Sequence, residues 1–254
     1  LVFYFAPAQP KRSKQEFLMQ HITHYIPILT TIISFSFTAA LYKHWQHKPE
    51  AKYLMWWTIG TFCFGIGTLT ESINTLVGWS VWNMKAWYIS GALLGAFPLA
   101  QGTVYLLLKK KTADFLTWFF IVYIAIASIA IMLAPVDMSL VDPDRLTGKV
   151  MTWTWARMFS ILPNTYAMIF LVGGAAWSAI QYARKLDAGS RVLGNWLIAI
   201  GALLPGIGGS FTRFGYVEVL FVTEFIGISL IWAGYRAMTQ TQTASIHASQ
   251  AAAD

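Results

Sequence analysis

The sequence predicts an all-α fold, a polytopic membrane bundle of about seven transmembrane helices with the N-terminus outside and the C-terminus cytoplasmic. Three observations carry this. Of the 254 residues, 56% are hydrophobic and 11% charged, where an ordinary soluble domain carries about 25% charged residues. The apolar residues fall into runs of about 18 to 29, enough to cross a hydrocarbon core of about 30 Å at 1.5 Å per residue. These runs also lack the alternation in polarity of β-barrel strands.

The spans follow in order. The first covers about Tyr25 to Tyr42 and ends in a basic loop with Lys43, Lys48 and Lys52. The second, about Tyr53 to Leu76, is followed by the turn GWSVWNMK. The third, about Ala86 to Leu108, is stopped by Lys109, Lys110 and Lys111. The fourth, about Ala113 to Leu133, is nearly free of polar side chains and opens into the longest loop, APVDMSLVDPDRLTGK. The fifth, about Thr154 to Tyr182, is expected to bend at Pro163, because proline cannot donate to the helix ladder. The sixth and seventh cover about Val192 to Phe211 and Val217 to Arg236.

Residues 1–18 read as a weakly ordered extension, with Met19 a candidate start, and residues 237–254 as a disordered polar tail. The seven-helix domain is thus residues 19–236.

The net charge of +7 does not indicate nucleic acid, because the basic residues lie in short loops where they act as orientation signals and touch anionic lipid. One end of the bundle holds Lys43, Lys48, Lys52, the three lysines 109–111, Arg184, Lys185, Arg191 and Arg236. The other holds Lys85, Arg145, Lys149, Arg157 and Arg213, with Lys11, Arg12 and Lys14 if the extension is present. The first end is therefore expected in the cytoplasm and the acidic loop outside, in a bacterial cytoplasmic membrane.

An ionisable side chain at a helix centre costs about 2.5–3.5 kcal/mol on insertion scales, so it normally faces a partner or a cavity. Glu71 and Glu224 are the buried acids expected, and Arg157 and Arg213 the bases, all in the outer half and turned inward. Glu71 shares a face of small and polar residues with Gly60, Gly67, Thr68, Asn74 and Thr75. Gln101 and Asn164 add neutral hydrogen-bonding groups deeper in. Trp82, Trp87, Tyr88 and Trp153 are expected to rim the mouth. This set is either an ion-pair network that clips helices together or the lining of a polar pocket.

Other constellations carry less. His21-x-x-His24 and His44-x-x-His47 lie at opposite ends of the first helix, about 30 Å apart, so they cannot share a metal. No metal or other cofactor is expected. No GxSxG, HExxH or Walker sequence occurs. Microbial rhodopsins are set aside, because the seventh span has no lysine to hold retinal. The glycines Gly91, Gly95, Gly206, Gly208 and Gly209 suit close helix packing. A break near Pro205-Gly206 is the alternative.

The stretch GWSVWNMKAWYISGALLGAFPLAQGTVYLLL, ending at Leu108, resembles a motif of uncharacterised bacterial seven-helix integral membrane proteins, in which a GW turn leads into a WYxxGA helix that ends GTxYLL. The resemblance covers about thirty residues. It implies the fold and a bacterial origin, and it brings no activity with it.

These readings converge on a membrane protein that binds a small molecule or ion in an outward-facing pocket, as a receptor-like or accessory subunit. Its loops are too short to hold an output domain, so a membrane or cytoplasmic partner protein would carry the signal. A small transporter, with proton coupling as one form of it, is the runner-up. An intramembrane enzyme ranks last, for want of a nucleophile–base pair.

Overall fold

The computed structural model describes residues 22–185 and 189–251, excluding the side chains of Arg213 and of residues 240–251. The 1–18 extension lies outside the described residues. The fold is all-helical. Among the described residues the only β pairing is an isolated antiparallel bridge between Val136 and Met151.

Helix α1 spans Ile26–His47, α2 Lys52–Val77, α3 Val81–Leu107, α4 Lys110–Leu133, α5 Thr154–Ala183, α6 Gly189–Phe211 and α7 Val217–Ala251. All but α2 are long and apolar enough to cross a membrane, the build of a multi-pass membrane protein. Helix α2 is as long, at 26 residues, but carries Thr, Ser, Asn and Glu where the others carry Leu and Ile. Much of its polar face is buried, including Thr61, Thr68, Glu71, Ser72 and Asn74. The backbone of α7 stays helical as far as Ala251, through most of the stretch expected as a tail. That stretch contains no Gly or Pro to stop it.

Consecutive helices pack side by side, α7 closes back on α1, and α3 also packs on α5. Helix α4 packs mainly on α3 and α5 and turns Phe115, Trp118, Val122, Ile126 and Ile129 outward. Hydroxyls join α1 to α2: Thr31 Oγ1 donates to Thr68 (2.9 Å) and Thr38 Oγ1 to Thr61 (2.9 Å). An aromatic core of Phe37, Trp56, Trp57, Phe97, Phe120, Tyr166 and Tyr235 fills the middle.

Prolines set the irregularities. In α3 a π-helical stretch, Tyr88–Leu93, leads to a break before Phe97, and Pro98 starts the next segment. In α5 the break falls at Phe159–Ser160, just ahead of Pro163. Pro163 has no N–H for the carbonyl of Phe159, and the Tyr123 hydroxyl donates to that oxygen instead (3.0 Å). Pro205 sits within an unbroken α6. The carbonyl of Gly201 that it cannot serve lies against the α-carbon of Gly227, where a Cβ would come within 2.6 Å of that oxygen.

The long loop between α4 and α5 folds back onto the bundle. Asp137 N–H donates to the Val150 carbonyl (2.8 Å) and Thr152 N–H to that of Pro135 (3.0 Å). Leu146, Val150 and Met151 are buried against α3 and α4. Gly148 passes directly over the Tyr88 ring, leaving no room for a side chain.

Candidate functional site

The polar face of α2 meets α7 beneath this loop. Glu71, one and a half turns from the end of α2, is 4% exposed. Trp87 of α3 donates its indole N–H to Glu71 Oε1 at 2.9 Å. Glu224, two turns into α7, brings its carboxyl into hydrogen-bonding contact with that of Glu71. A carboxylate only accepts, so this contact is a hydrogen bond when one of the two carries a proton.

One turn on from Glu71, Asn74 is 6% exposed. Its amide N–H donates to the carbonyl of Pro143 in the loop (3.1 Å), which ties the loop to α2. Its oxygen, Oδ1, meets no donor among the described residues; nor does Oε2 of either glutamate. A cleft opens here between α2 (Glu71, Asn74, Thr75), the loop (Asp144, Arg145, Leu146) and α7 (Val217, Leu220, Phe221). Its free volume is about 10 Å³, room for about one water molecule.

The mouth is acidic. Asp142 pairs with Arg145 at 2.8 Å, its other oxygen accepts the N–H of Asp144, and Glu218 lies 4.0 Å from His24. Asp137, farther along the loop, accepts from the Ser139 hydroxyl and N–H, which holds its carboxyl below the usual carboxylate range.

Of the expected site residues, Glu71, Glu224 and Trp87 come together. Arg157, expected to balance the acids, has another partner. The Arg157 guanidinium donates to the Gly148 carbonyl (3.3 Å) and ties α5 to the loop. The Arg213 side chain lies outside the described ones. Asn164 donates to Ala92 O (2.9 Å) and Ser160 O (2.7 Å), two carbonyls at the breaks in α3 and α5. Gln101 has no exposed surface, and its amide is fully engaged. The nitrogen donates to Thr117 Oγ1 (2.8 Å) and Ala113 O (3.0 Å), and the oxygen accepts from the Tyr166 hydroxyl (2.6 Å). From Thr117 the bonds run on through Tyr105 and Asp114 to Lys52 at the lysine-rich end.

Among the four rim residues, Trp87 bonds Glu71 but does not line the cleft. Tyr88 is buried and donates to Arg157 O (3.1 Å). Trp82 is 70% exposed, and Trp153 stacks on Trp155. Asn74 and Arg145 are the residues that sequence reasoning left out of the site. Asn74 was legible at i+3 from Glu71. Arg145 arrives with the fold of the loop, which no periodicity announces.

The histidines part company: His44 bonds the Tyr235 hydroxyl and His47 the Lys43 carbonyl, while His21 lies outside the described residues. Among the described residues no three His, Cys, Asp or Glu side chains converge as metal ligands. Comparison with protein-family models, with curated proteins and with solved structures returns no match.

Proposed function

We propose that the chain is a seven-helix protein of the bacterial cytoplasmic membrane that binds an ion through Glu71 and Glu224 at its outer face. It would act as a receptor-like or accessory subunit whose signal passes to a partner protein. The observation that carries this reading is the contact between two buried carboxyls beneath a cleft. Among the described residues no guanidinium pairs with either acid, and two acids in contact hold each other only with a proton or a cation between them. A cleft with room for about one water favours an ion over an organic molecule.

Helix α2 is the seventh span in this reading. Its polar side chains are tolerable because neighbouring helices cover them. The lysine-rich end faces the cytoplasm by the excess of Lys and Arg in its loops.

Infrared difference spectroscopy on the purified protein tests the site. Acid-minus-alkaline spectra should show a protonated-carboxyl band that disappears in Glu224→Gln while the amide bands stay unchanged. A band that persists in both Glu224→Gln and Glu71→Gln would sink the assignment.

Transport is the second reading, favoured by the break in α3, since discontinuous helices frame many transport sites. Against it, Gln101 is sealed in the core and Asn195 spends its amide on Arg191 O. Proton flux into liposomes loaded with a pH dye separates the two; a binding protein gives none above the lipid leak.

A further inference from the structure

The ligand class can be taken further, on the reading of the site just given. Three buried oxygens face this region without a donor among the described residues: Glu71 Oε2, Glu224 Oε2 and Asn74 Oδ1. They come from two helices, and two of the three residues line the cleft. Asn74 matters most here, because a shared proton would satisfy the carboxyls and still leave its amide oxygen bare. Its nitrogen is already committed to Pro143 O, which fixes the amide with Oδ1 as the free end.

A set made only of oxygens selects hard cations over transition metals, which favour imidazole and thiolate. Coordination number decides among the hard ones. Calcium takes 6–8 oxygens, and magnesium needs a near-octahedral shell in which it usually keeps several waters. Three protein oxygens and about one water fall short of both. A monovalent ion also prefers several oxygens, but it is held less tightly by its water shell, and it can replace a single proton without leaving the site with extra charge. Around the mouth stand three carboxylates, Asp142, Asp144 and Glu218, against the guanidinium of Arg145, which pairs with Asp142, and the imidazole of His24 beside Glu218; the excess of acid over Arg145 favours cations there.

The geometry points to a sodium-sized monovalent cation, held by the Glu71 and Glu224 carboxylates and the Asn74 amide oxygen, that enters in exchange for the proton shared by the two acids. One cation enters from the mouth and one proton leaves to it, so the charge of the site is unchanged.

The test is thermal unfolding of the full chain in detergent, in NaCl against equal concentrations of N-methylglucamine chloride. Sodium should raise Tm saturably, and the half-saturating concentration should rise about tenfold for each pH unit lost where one proton competes with one cation. Asn74→Ala should weaken sodium at least tenfold while keeping the infrared carboxyl band, and Glu224→Gln should lose the sodium effect. Binding of radioactive sodium to the wild-type protein at two pH values gives the same answer without any variant. No sodium effect, an equal effect in Asn74→Ala, or full replacement by micromolar calcium overturns the cation inference. If the carboxyl band still titrates, the acid-pair site itself survives; if it does not, both fall.

Discussion

Asn164 shows how a polar side chain in a membrane helix can be fully used without touching a ligand. Helix α3 breaks before Phe97 and α5 breaks at Phe159–Ser160, and each break frees carbonyl oxygens that lipid cannot satisfy. The Asn164 amide nitrogen serves one from each helix. Asn164 is exposed on the outside of the bundle, so Asn164→Leu leaves both carbonyls facing lipid, and an unpaired polar group in an apolar setting costs about 1–3 kcal/mol. Unfolding in mixed micelles should show a loss of that size. Tyr123→Phe should cost less, about 0.6 kcal/mol and at most about 1.7, the range for single hydrogen bonds inside membranes. Equal losses in the two variants would mean that the Asn164 amide does not serve both breaks. From the sequence alone, Asn164 looked like a ligand because a polar residue in an apolar span reads the same whether its partner is a carbonyl or a solute.

The tightest element pair is α6 with α7, and its cause is a glycine every seventh residue. Gly194, Gly201 and Gly208 on α6 face α7, whose Gly227 and Gly234 answer them in antiparallel register. A Cβ on Gly201 would lie 2.6 Å from the Gly227 carbonyl oxygen, and one on Gly227 the same distance from that of Gly201. Backbone cannot step aside as a flexible side chain can, so Gly227→Ala should destabilise by about 1–3 kcal/mol, the usual cost of overpacking. Gly209 has nothing within 4 Å of its added Cβ. Gly209→Ala should therefore be neutral or stabilising, by up to about 1 kcal/mol of helix propensity. The contrast is read from unfolding midpoints of the two variants beside wild type; similar losses would remove the glycine seam as the cause. Much of this level was visible in the residues. Six of the seven expected spans recur as helices apolar enough to cross a membrane, the crossing segments ending within five residues of expectation, and the hydroxyls of α1 at Thr31, Ser34 and Thr38 follow helical spacing. The break in α3 was not visible, because Gly95 read as a packing residue. The alternative of a break near Pro205-Gly206 does not occur: α6 stays continuous, and Gly227 lets the neighbouring helix lie against the freed carbonyl.

For the whole molecule, the open quantity is the number of crossings, and it turns on α2. Six helices are apolar enough to cross a membrane on their own; α2 has the length but not the composition. A polar helix can still span if its neighbours cover it, and Thr61, Thr68, Ser72, Asn74 and Glu71 are all buried. The consequence is topological. With seven crossings the α1–α2 loop and the α2–α3 turn lie on opposite faces; with six they share one. Cys63 is the only cysteine, so Cys63→Ser gives a clean background for labelling. Glu50→Cys and Val77→Cys, both at exposed positions, then report the two ends of α2 to a membrane-impermeant maleimide applied to intact cells. Val77→Cys should label from outside together with Ser139→Cys in the long loop, and Glu50→Cys only after lysis. Labelling of both α2 ends from one side would remove α2 as a span. Labelling of Glu50→Cys alone in intact cells would keep seven crossings and invert them, putting the Glu71–Glu224 cleft in the cytoplasm. The cation would then be sensed from within, against the excess of lysine and arginine in the loops at the other end.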